Sequence, residues 1–319
     1  MPPSRLGRNG RRLLHRLNQR YRAEFDRAEA LHSELEDIRR SRLWRWFARL
    51  RSLRRWFTQH LSTTSSLGMA SHLLAVPEAH NQSDARVSII IPFKDDVSLL
   101  AACLRSLRRS TPSALEIVLV DNGSHEARTH RFLSRWQGRG EGQLLSRPAP
   151  FNFAWLCNEG ASVARGEVFL FLNNDTEVLT RTWLGQMLAT LAVPTVGVVG
   201  ATLLYPDQTL QHAGIYPSPA GWFHPYRGQP ATYQGQGGEL RHVRLVPAVT
   251  GACLMVRRSH FEELSGFDER LPVTLNDVDL CQRARAKGWM TAITPKARLL
   301  HYESLARGYA VERPSCSTA

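Results

Sequence analysis

Three near-continuous apolar runs limit the architecture of this chain more than any other feature. VSIII (87–91), LEIVLV (115–120) and EVFLFL (167–172) are strand-length and show almost no polar alternation. That is the pattern of strands covered on both faces in a parallel sheet. Between and around them, residues 97–109, 126–136 and 152–164 repeat apolar positions at helical spacing. The βαβ rhythm predicts an α/β chain with a mostly parallel sheet flanked by helices. Each run ends in a polar cluster: Lys94-Asp95-Asp96, Asp121-Asn122 and Asn173-Asn174-Asp175. Sheets of this kind bind ligands at the carboxyl ends of their strands, so these clusters mark where chemistry is expected.

The second half reads differently. VGVVGATLL (196–204) and AVTGACLMV (248–256) are apolar, and a Gly/Pro-rich stretch runs between them to about residue 240. Such a stretch beside a sheet predicts a binding surface or a lid. Residues 259–265 form a short helix in this reading. Asn276 caps another through about 287, and 289–293 and 297–301 are strands.

Charge divides the chain. Of a formal net +13, residues 1–60 carry +10 through 16 Arg, no Lys and 6 acids, which leaves +3 for the remaining 259 residues. Residues 1–61 read as a helical extension. Leu14, Leu17, Tyr21, Ala28, Leu31, Leu35 and Ile38 follow a three-four spacing, with the slot between Tyr21 and Ala28 filled imperfectly by Glu24 beside Phe25. Either a coiled coil, with self-association through residues 10–40, or a helix packed on its own domain accounts for it. In 41–61, Leu43, Trp46, Phe47, Leu50, Leu53, Phe57 and Leu61 share a face opposite six arginines. That arrangement fits an anionic membrane surface, or simply a solvated basic helix. No nucleic-acid motif accompanies the charge, so nucleic acid is not expected as a partner. Residues 62–85 read as a linker, 86–308 as the main domain and 309–319 as a polar tail.

Five cysteines form no C-x-x-C pair, and Cys103, Cys253 and Cys281 sit in apolar periodic segments. They read as buried free thiols in a reducing compartment. No stretch approaches 18 apolar residues, and the Arg-rich start lacks a signal-peptide core. The expected location is cytoplasmic, with peripheral attachment to the inner face of the plasma membrane.

Asp175 follows a strand and two asparagines. A carboxylate there can hold Mg²⁺ or Mn²⁺ with positions left for phosphate oxygens, or can simply close a turn. Asp277 and Asp279 open a helix, where acids also offset the helix dipole. His301 closes a strand as a structural histidine or a metal ligand. P-loop, G-x-S-x-G and H-E-x-x-H patterns are all absent from the sequence, which argues against Walker-type NTPases, elbow hydrolases and zincins.

The segments VSIIIPFKDD, EIVLVDNGS, NFAWLCNEGASVARGEVFLFLNND, LLYPDQTLQHAG, AVTGACLMVRR, GFDERL, NDVDLCQRARAKG and HYES occur in this order over about 86–308. Together they resemble the inverting family 2 glycosyltransferases. The resemblance is greatest to bacterial rhamnosyltransferase-like enzymes of O-antigen and polysaccharide assembly. It implies a GT-A fold, a nucleotide-sugar donor, a glycan or lipid-linked acceptor and a divalent cation. By the same resemblance, Asp175 and His301 bind the metal, with Asn173 where a first aspartate often stands and Asn174 beside it. Asp121 reads the nucleobase, the backbone at Pro92 and Phe93 lines the nucleoside pocket, and Asn158 lies in the segment bordering the nucleotide. Asp277 matches the catalytic base, which a helix N-terminus would keep ionised.

The Q-x-x-R-W pattern of processive synthases is replaced by QRARAKG after Cys281, which predicts single-sugar addition. Relatives usually continue beyond the HxES segment, so part of the acceptor side is expected from a partner or is lacking. The alternative is a catalytically silent, glycosyltransferase-like subunit that recruits a partner enzyme. A nucleotidyltransferase fits less well, because IPFKDD stands where its Gly-rich basic loop would be.

Overall fold

A computed structural model describes residues 73–76, 86–110, 115–219 and 221–302. The helical extension over 1–61, with its coiled-coil and amphipathic stretches, and the tail over 309–319 lie outside the described residues.

Four strands form the parallel half of the sheet: β1 (Val87–Phe93), β2 (Leu115–Asp121), β3 (Gln143–Ser146) and β4 (Val168–Leu172), in the order β4-β1-β2-β3. Two helices link them: α1 (Val97–Ser110) and α2 (Ala127–Gly138). A third, α3 (Phe153–Val163), precedes β4. Asn152 caps α3 by accepting the Trp155 N–H at 3.0 Å, which satisfies one of the donors that a helix start leaves open.

Beyond β4 the sheet changes direction. β11 (Cys253–Arg257) runs antiparallel to β4 and to β6 (Val196–Leu204). β12 (Met290–His301) continues parallel to β6. The short strands β5 (Thr176–Val178), β7 (Leu210–His212) and β10 (Arg244–Val246) pair antiparallel with β12, β6 and β12. The sheet is thus mixed, with ten strands among the described residues. A separate hairpin joins β8 (Tyr216–Ser218) to β9 (Gly221–Phe223). The two segments expected at 289–293 and 297–301 are a single strand with a register shift between Thr294 and Arg298.

Alternation within the buried strands feeds two cores. Ile89, Ile91, Leu170 and Leu172 face one side, with Leu100 and Leu104 of α1 and with Trp183 and Met187 of α4 (Trp183–Leu191). Ile90, Phe169 and Phe171 face the other, with α3, with Phe261 of α5 (Arg258–Glu263) and with α6 (Asn276–Ala286). Fully burying each such side chain contributes roughly 1.5–3 kcal/mol. Gly160 lets α3 approach the sheet closely: a Cβ there would lie 2.4 Å from Ile90 Cγ2. Cys103, Cys157, Cys253 and Cys281 are free and buried, as the sequence suggests for three of them. Among the described residues no helix is long and apolar enough to cross a membrane.

This topology collects the strand ends. β1, β2 and β4 finish on the same edge, where Asn122 N–H donates to Phe93 O at 2.9 Å and Asn173 N–H to Ala252 O at 3.0 Å. Pairing of β5 with the end of β12 sets Thr176 opposite His301. That pairing brings a histidine far along the chain to the turn after β4.

Candidate active site

A cavity of about 310 Å³ opens at this edge, and Asn173, Asp175, Gly251, Asp277 and His301 all line it. Four residues singled out in the sequence therefore meet in one place: Asn173, Asp175, Asp277 and His301.

Asp175 and His301 are both buried. His301 Nε2 lies 3.2 Å from Asp175 Oδ1, yet that oxygen has no hydrogen-bond partner. The tautomer of His301 accounts for this. Gln211 Nε2 donates to the His301 carbonyl at 3.4 Å, which turns Gln211 Oε1 toward His301 Nδ1 at 2.7 Å. Nδ1 then carries a proton, and in the neutral imidazole Nε2 presents a lone pair. Asn173 Nδ2 donates to that lone pair at 3.2 Å. A carboxylate oxygen and an imidazole lone pair thus face each other, an arrangement that a cation relieves. The two atoms are close enough to reach one Mg²⁺ or Mn²⁺, whose ligand distances are about 2.0–2.2 Å. Among the described residues no group of three or more His, Cys, Asp and Glu forms a ready-made metal cluster. An ion here would need further ligands from a substrate. The donor set of oxygen and imidazole therefore fits the divalent cation.

Asp277 sits at the start of α6. Its Oδ2 accepts the Gly251 N–H at 2.9 Å and its Oδ1 the Val278 N–H at 2.8 Å. Thr250 adds a side-chain hydrogen bond. Burial outweighs these donors, so the carboxyl is pushed up from the ordinary aspartate value rather than down. The helix N-terminus expected to keep Asp277 ionised is thus opposed by burial. A raised carboxyl that still faces a cavity is suited to taking a proton.

Pro92, Phe93 and Asp121 lie at the strand ends and do not line this cavity, but they are placed together, since Phe93 pairs with Asp121 across β1 and β2. Asp121 Oδ1 accepts both the backbone N–H and the hydroxyl of Ser124, at 2.8 and 2.6 Å. Asn122 Nδ2 donates to the carbonyls of Arg147 and Ala149, each at 3.0 Å, and holds the loop after β3 over this edge. Asn174 is half-buried in the turn between Asn173 and Asp175. Asn158 joins neither group. Its Oδ1 accepts the Phe267 N–H at 2.9 Å and its Nδ2 donates to Phe267 O at 3.0 Å and Glu269 Oε1 at 2.9 Å. It clips α3 to the 267–269 loop instead.

The sequence reading assigned no role to Gln211, His212, His224, Thr250 or Trp222. His212 is buried and held well below the ordinary histidine value, first by desolvation and then by His224, Arg244 and His301. Its Nε2 accepts the Thr250 N–H at 3.4 Å, so its Nδ1–H points at His224 Nδ1, 3.1 Å away. Hydrogen bonds thus run from His224 through His212 and Thr250 to Asp277. Trp222 and His224 line the cavity from the hairpin side. The LQHAG segment was the available signal, because two adjacent polar residues, Gln211 and His212, flanked by apolar Leu210 and Ala213 need buried partners.

The model of glycosyl transferase family 2 matches residues 88–265. The O-antigen biosynthesis protein RfbC of Myxococcus xanthus is 39% identical over 227 residues, 70% of this chain and 18% of that protein. The N-acetylglucosaminyl-diphospho-decaprenol L-rhamnosyltransferase of Mycobacterium tuberculosis is 26% identical over 231 residues, 64% of this chain and 72% of that one. The crystal structure of GalNAc-T7 with UDP, GalNAc and Mn²⁺ superposes with a TM-score of 0.57 at 19% identity, covering 68% of this chain and 44% of that one. The chain spans less than a third of the length of two of the curated relatives it matches.

Proposed function

The chain belongs to glycosyl transferase family 2 and has the GT-A fold, and from that premise we propose that it transfers one sugar, with inversion, from a nucleotide-sugar donor to a hydroxyl of a glycan or lipid-linked acceptor. The observation that carries this reading is the unpartnered Asp175 Oδ1 facing the His301 lone pair at 3.2 Å, in the cavity that Asp277 also lines.

Asp175 and His301 would hold Mg²⁺ or Mn²⁺. When bound, the ion neutralises charge developing on a leaving diphosphate. GalNAc-T7, solved with UDP and Mn²⁺, supports that assignment by fold. Asn173 and Asn174 border this site, while Pro92, Phe93 and Asp121 form the nucleoside side. Asp277 takes the proton from the acceptor hydroxyl, a role worth about 10²–10⁴-fold. Gly251 N–H and Thr250 keep its carboxylate aimed into the cavity.

O-antigen or other cell-surface polysaccharide synthesis is the setting proposed from RfbC. Rhamnose is the first donor sugar to test, from the mycobacterial relative. Residues 41–61 would attach the chain to an anionic inner membrane face. Failure of the full chain to bind anionic vesicles at physiological salt would remove that part. The silent-subunit alternative gains nothing from the cavity, which keeps Asp175, Asp277 and His301 together.

The deciding experiment titrates the purified chain with UDP, dTDP and GDP, with and without Mn²⁺, and assays the tightest donor for turnover. Metal-dependent binding that disappears in Asp175→Ala, with turnover lost in Asp277→Asn, supports transfer. A folded chain that binds no nucleotide refutes it.

A further inference from the structure

A second cavity, of about 380 Å³, lies on the far side of β7. Leu210 and Ala213 line it, whereas His212 between them turns toward His224 in the first cavity. Four cationic side chains converge on it: Arg241, Arg244, Lys296 and Arg298. Among the described residues no acidic one lines it. Residues 61–319 together carry a net charge of only about +3, so four cations in one cavity reflect placement rather than composition.

The state of these cations is unusual. Arg244 is only 1% exposed. Its Nη2 donates to the Ala213 carbonyl, its guanidinium lies 6.0 Å from the Tyr226 ring centroid, and its Nε has no partner. Arg298 also donates to a backbone carbonyl, that of Ala231. Among the described residues none of the four makes an ion pair with a carboxylate. Glu239 is the nearby acid, and it is engaged by Tyr226 Oη at 3.1 Å and Gly237 N–H at 2.9 Å. Burying an arginine without a counter-charge is strongly unfavourable unless an anion compensates it.

The backbone adds a separate observation. The register of β12 against β6 shifts between Thr294 and Arg298. This irregularity carries Pro295, Lys296 and Arg298 to the cavity wall. Strand irregularities of this kind re-aim side chains and recur beside binding sites.

We propose that this cavity binds a phosphate group, at a site separate from the one that takes the donor nucleotide. Guanidinium forks and an ammonium match phosphate oxygens in charge and geometry. Thr232 and Tyr233 place hydroxyl-bearing residues in the same lining. The phosphate can come from a soluble phosphate ester or from a lipid headgroup. The proposal stands independently of sugar transfer.

The test uses the full chain without divalent cation and titrates inorganic phosphate by calorimetry, against chloride at matched ionic strength. Arg241 and Lys296 are exposed, so the double variant Arg241→Gln/Lys296→Gln is expected to fold normally, which its melting curve checks. Arg244→Met reports the buried position. Phosphate affinity is expected to fall by at least about tenfold for each charge-assisted hydrogen bond removed. Equal affinity in wild type and the double variant, or no phosphate binding by the wild type, overturns the proposal. Phosphatidylcholine vesicles doped with phosphatidic acid separate the sources. Vesicle binding weakened in the double variant assigns a headgroup, and unchanged vesicle binding with weakened phosphate binding assigns a soluble ester. A wild-type chain that binds phosphate here but no nucleotide with Mn²⁺ sinks the transfer reading and leaves this site standing.

Discussion

His301 Nε2 and Asp175 Oδ1 lie 3.2 Å apart with no hydrogen bond between them. Gln211 fixes the imidazole proton on the opposite nitrogen. With the imidazole neutral, both atoms are acceptors, a pair that a bound cation bridges. Mn²⁺ or Mg²⁺ is therefore expected to raise the melting temperature. An ion that binds only the folded state adds about 2.7 kcal/mol at a hundred times its Kd, or several degrees for a domain of this size. Thermal melts with and without the ion check this. The shift should vanish in Asp175→Asn and in His301→Ala; a shift retained in both would place the ion elsewhere.

Gln211 is a positioning residue in this scheme, and it is buried against β12. Replacing it with Leu removes the acceptor for the His301 Nδ1 proton, and the tautomer that blocks Nε2 becomes accessible. Outer partners of metal-binding histidines typically contribute 10–100-fold in affinity. Mn²⁺ titration followed by electron paramagnetic resonance should show a loss of about that size in Gln211→Leu. Gln211→Glu, which keeps an acceptor at the same place, should retain binding. Wild-type affinity in the Leu variant would remove the orienting role.

The parallel half of the fold was legible because β1, β2 and β4 are covered on both faces and therefore read as unbroken apolar runs. β3 and β5 were not. Gln143–Ser146 and Thr176–Val178 are too short to show a period, and their pairing energy comes from neighbours distant in sequence. The antiparallel direction of β11 has no signature in AVTGACLMV, since an apolar run is the same read either way. Asp175, Asp277 and His301 could be named from their places at element ends. The meeting of Asp175 and His301 depends on β5 pairing with β12, a long-range pairing that periodicity cannot encode. The polar side chains of Gln211 and His212 were visible as residues, but their roles emerge only when β7 lies beside His301 and Thr250.

Asn158 has a structural role beside the nucleotide-bordering one expected of its segment. Both ends of its amide hold the Phe267 backbone, and Phe267 packs against Phe153, Phe171 and Phe261. Asn158→Ala leaves a backbone N–H and a carbonyl without these partners, at about 1–3 kcal/mol for an unsatisfied buried group. The urea midpoint should fall, while the donor-nucleotide Kd measured well below the melting temperature should stay the same. A Kd weakened tenfold with an unchanged midpoint would restore Asn158 to the nucleotide pocket.

Asp277 is expected to show opposite effects on stability and activity. Burial raises its carboxyl above the ordinary aspartate value of 3.8, so the folded chain holds this proton more tightly than the unfolded one. Between the ordinary and raised values the folded state binds more protons, and stability falls as pH rises through that window. Above that window the ionised carboxylate therefore opposes folding. Asn at 277 removes the charge and can still accept the Gly251 N–H. Asp277→Asn should be at least as stable as wild type at pH 7, with the difference closing as pH falls below the ordinary aspartate range. Its transfer rate should drop by about 10²–10⁴-fold if Asp277 is the base. Wild-type activity should decline on the acid side at a pH above the ordinary aspartate value. Chemical denaturation across pH, run beside a turnover assay, measures all three. A variant that is less stable at pH 7 would make the carboxylate a structural anchor, and a variant with wild-type turnover would remove Asp277 as the base.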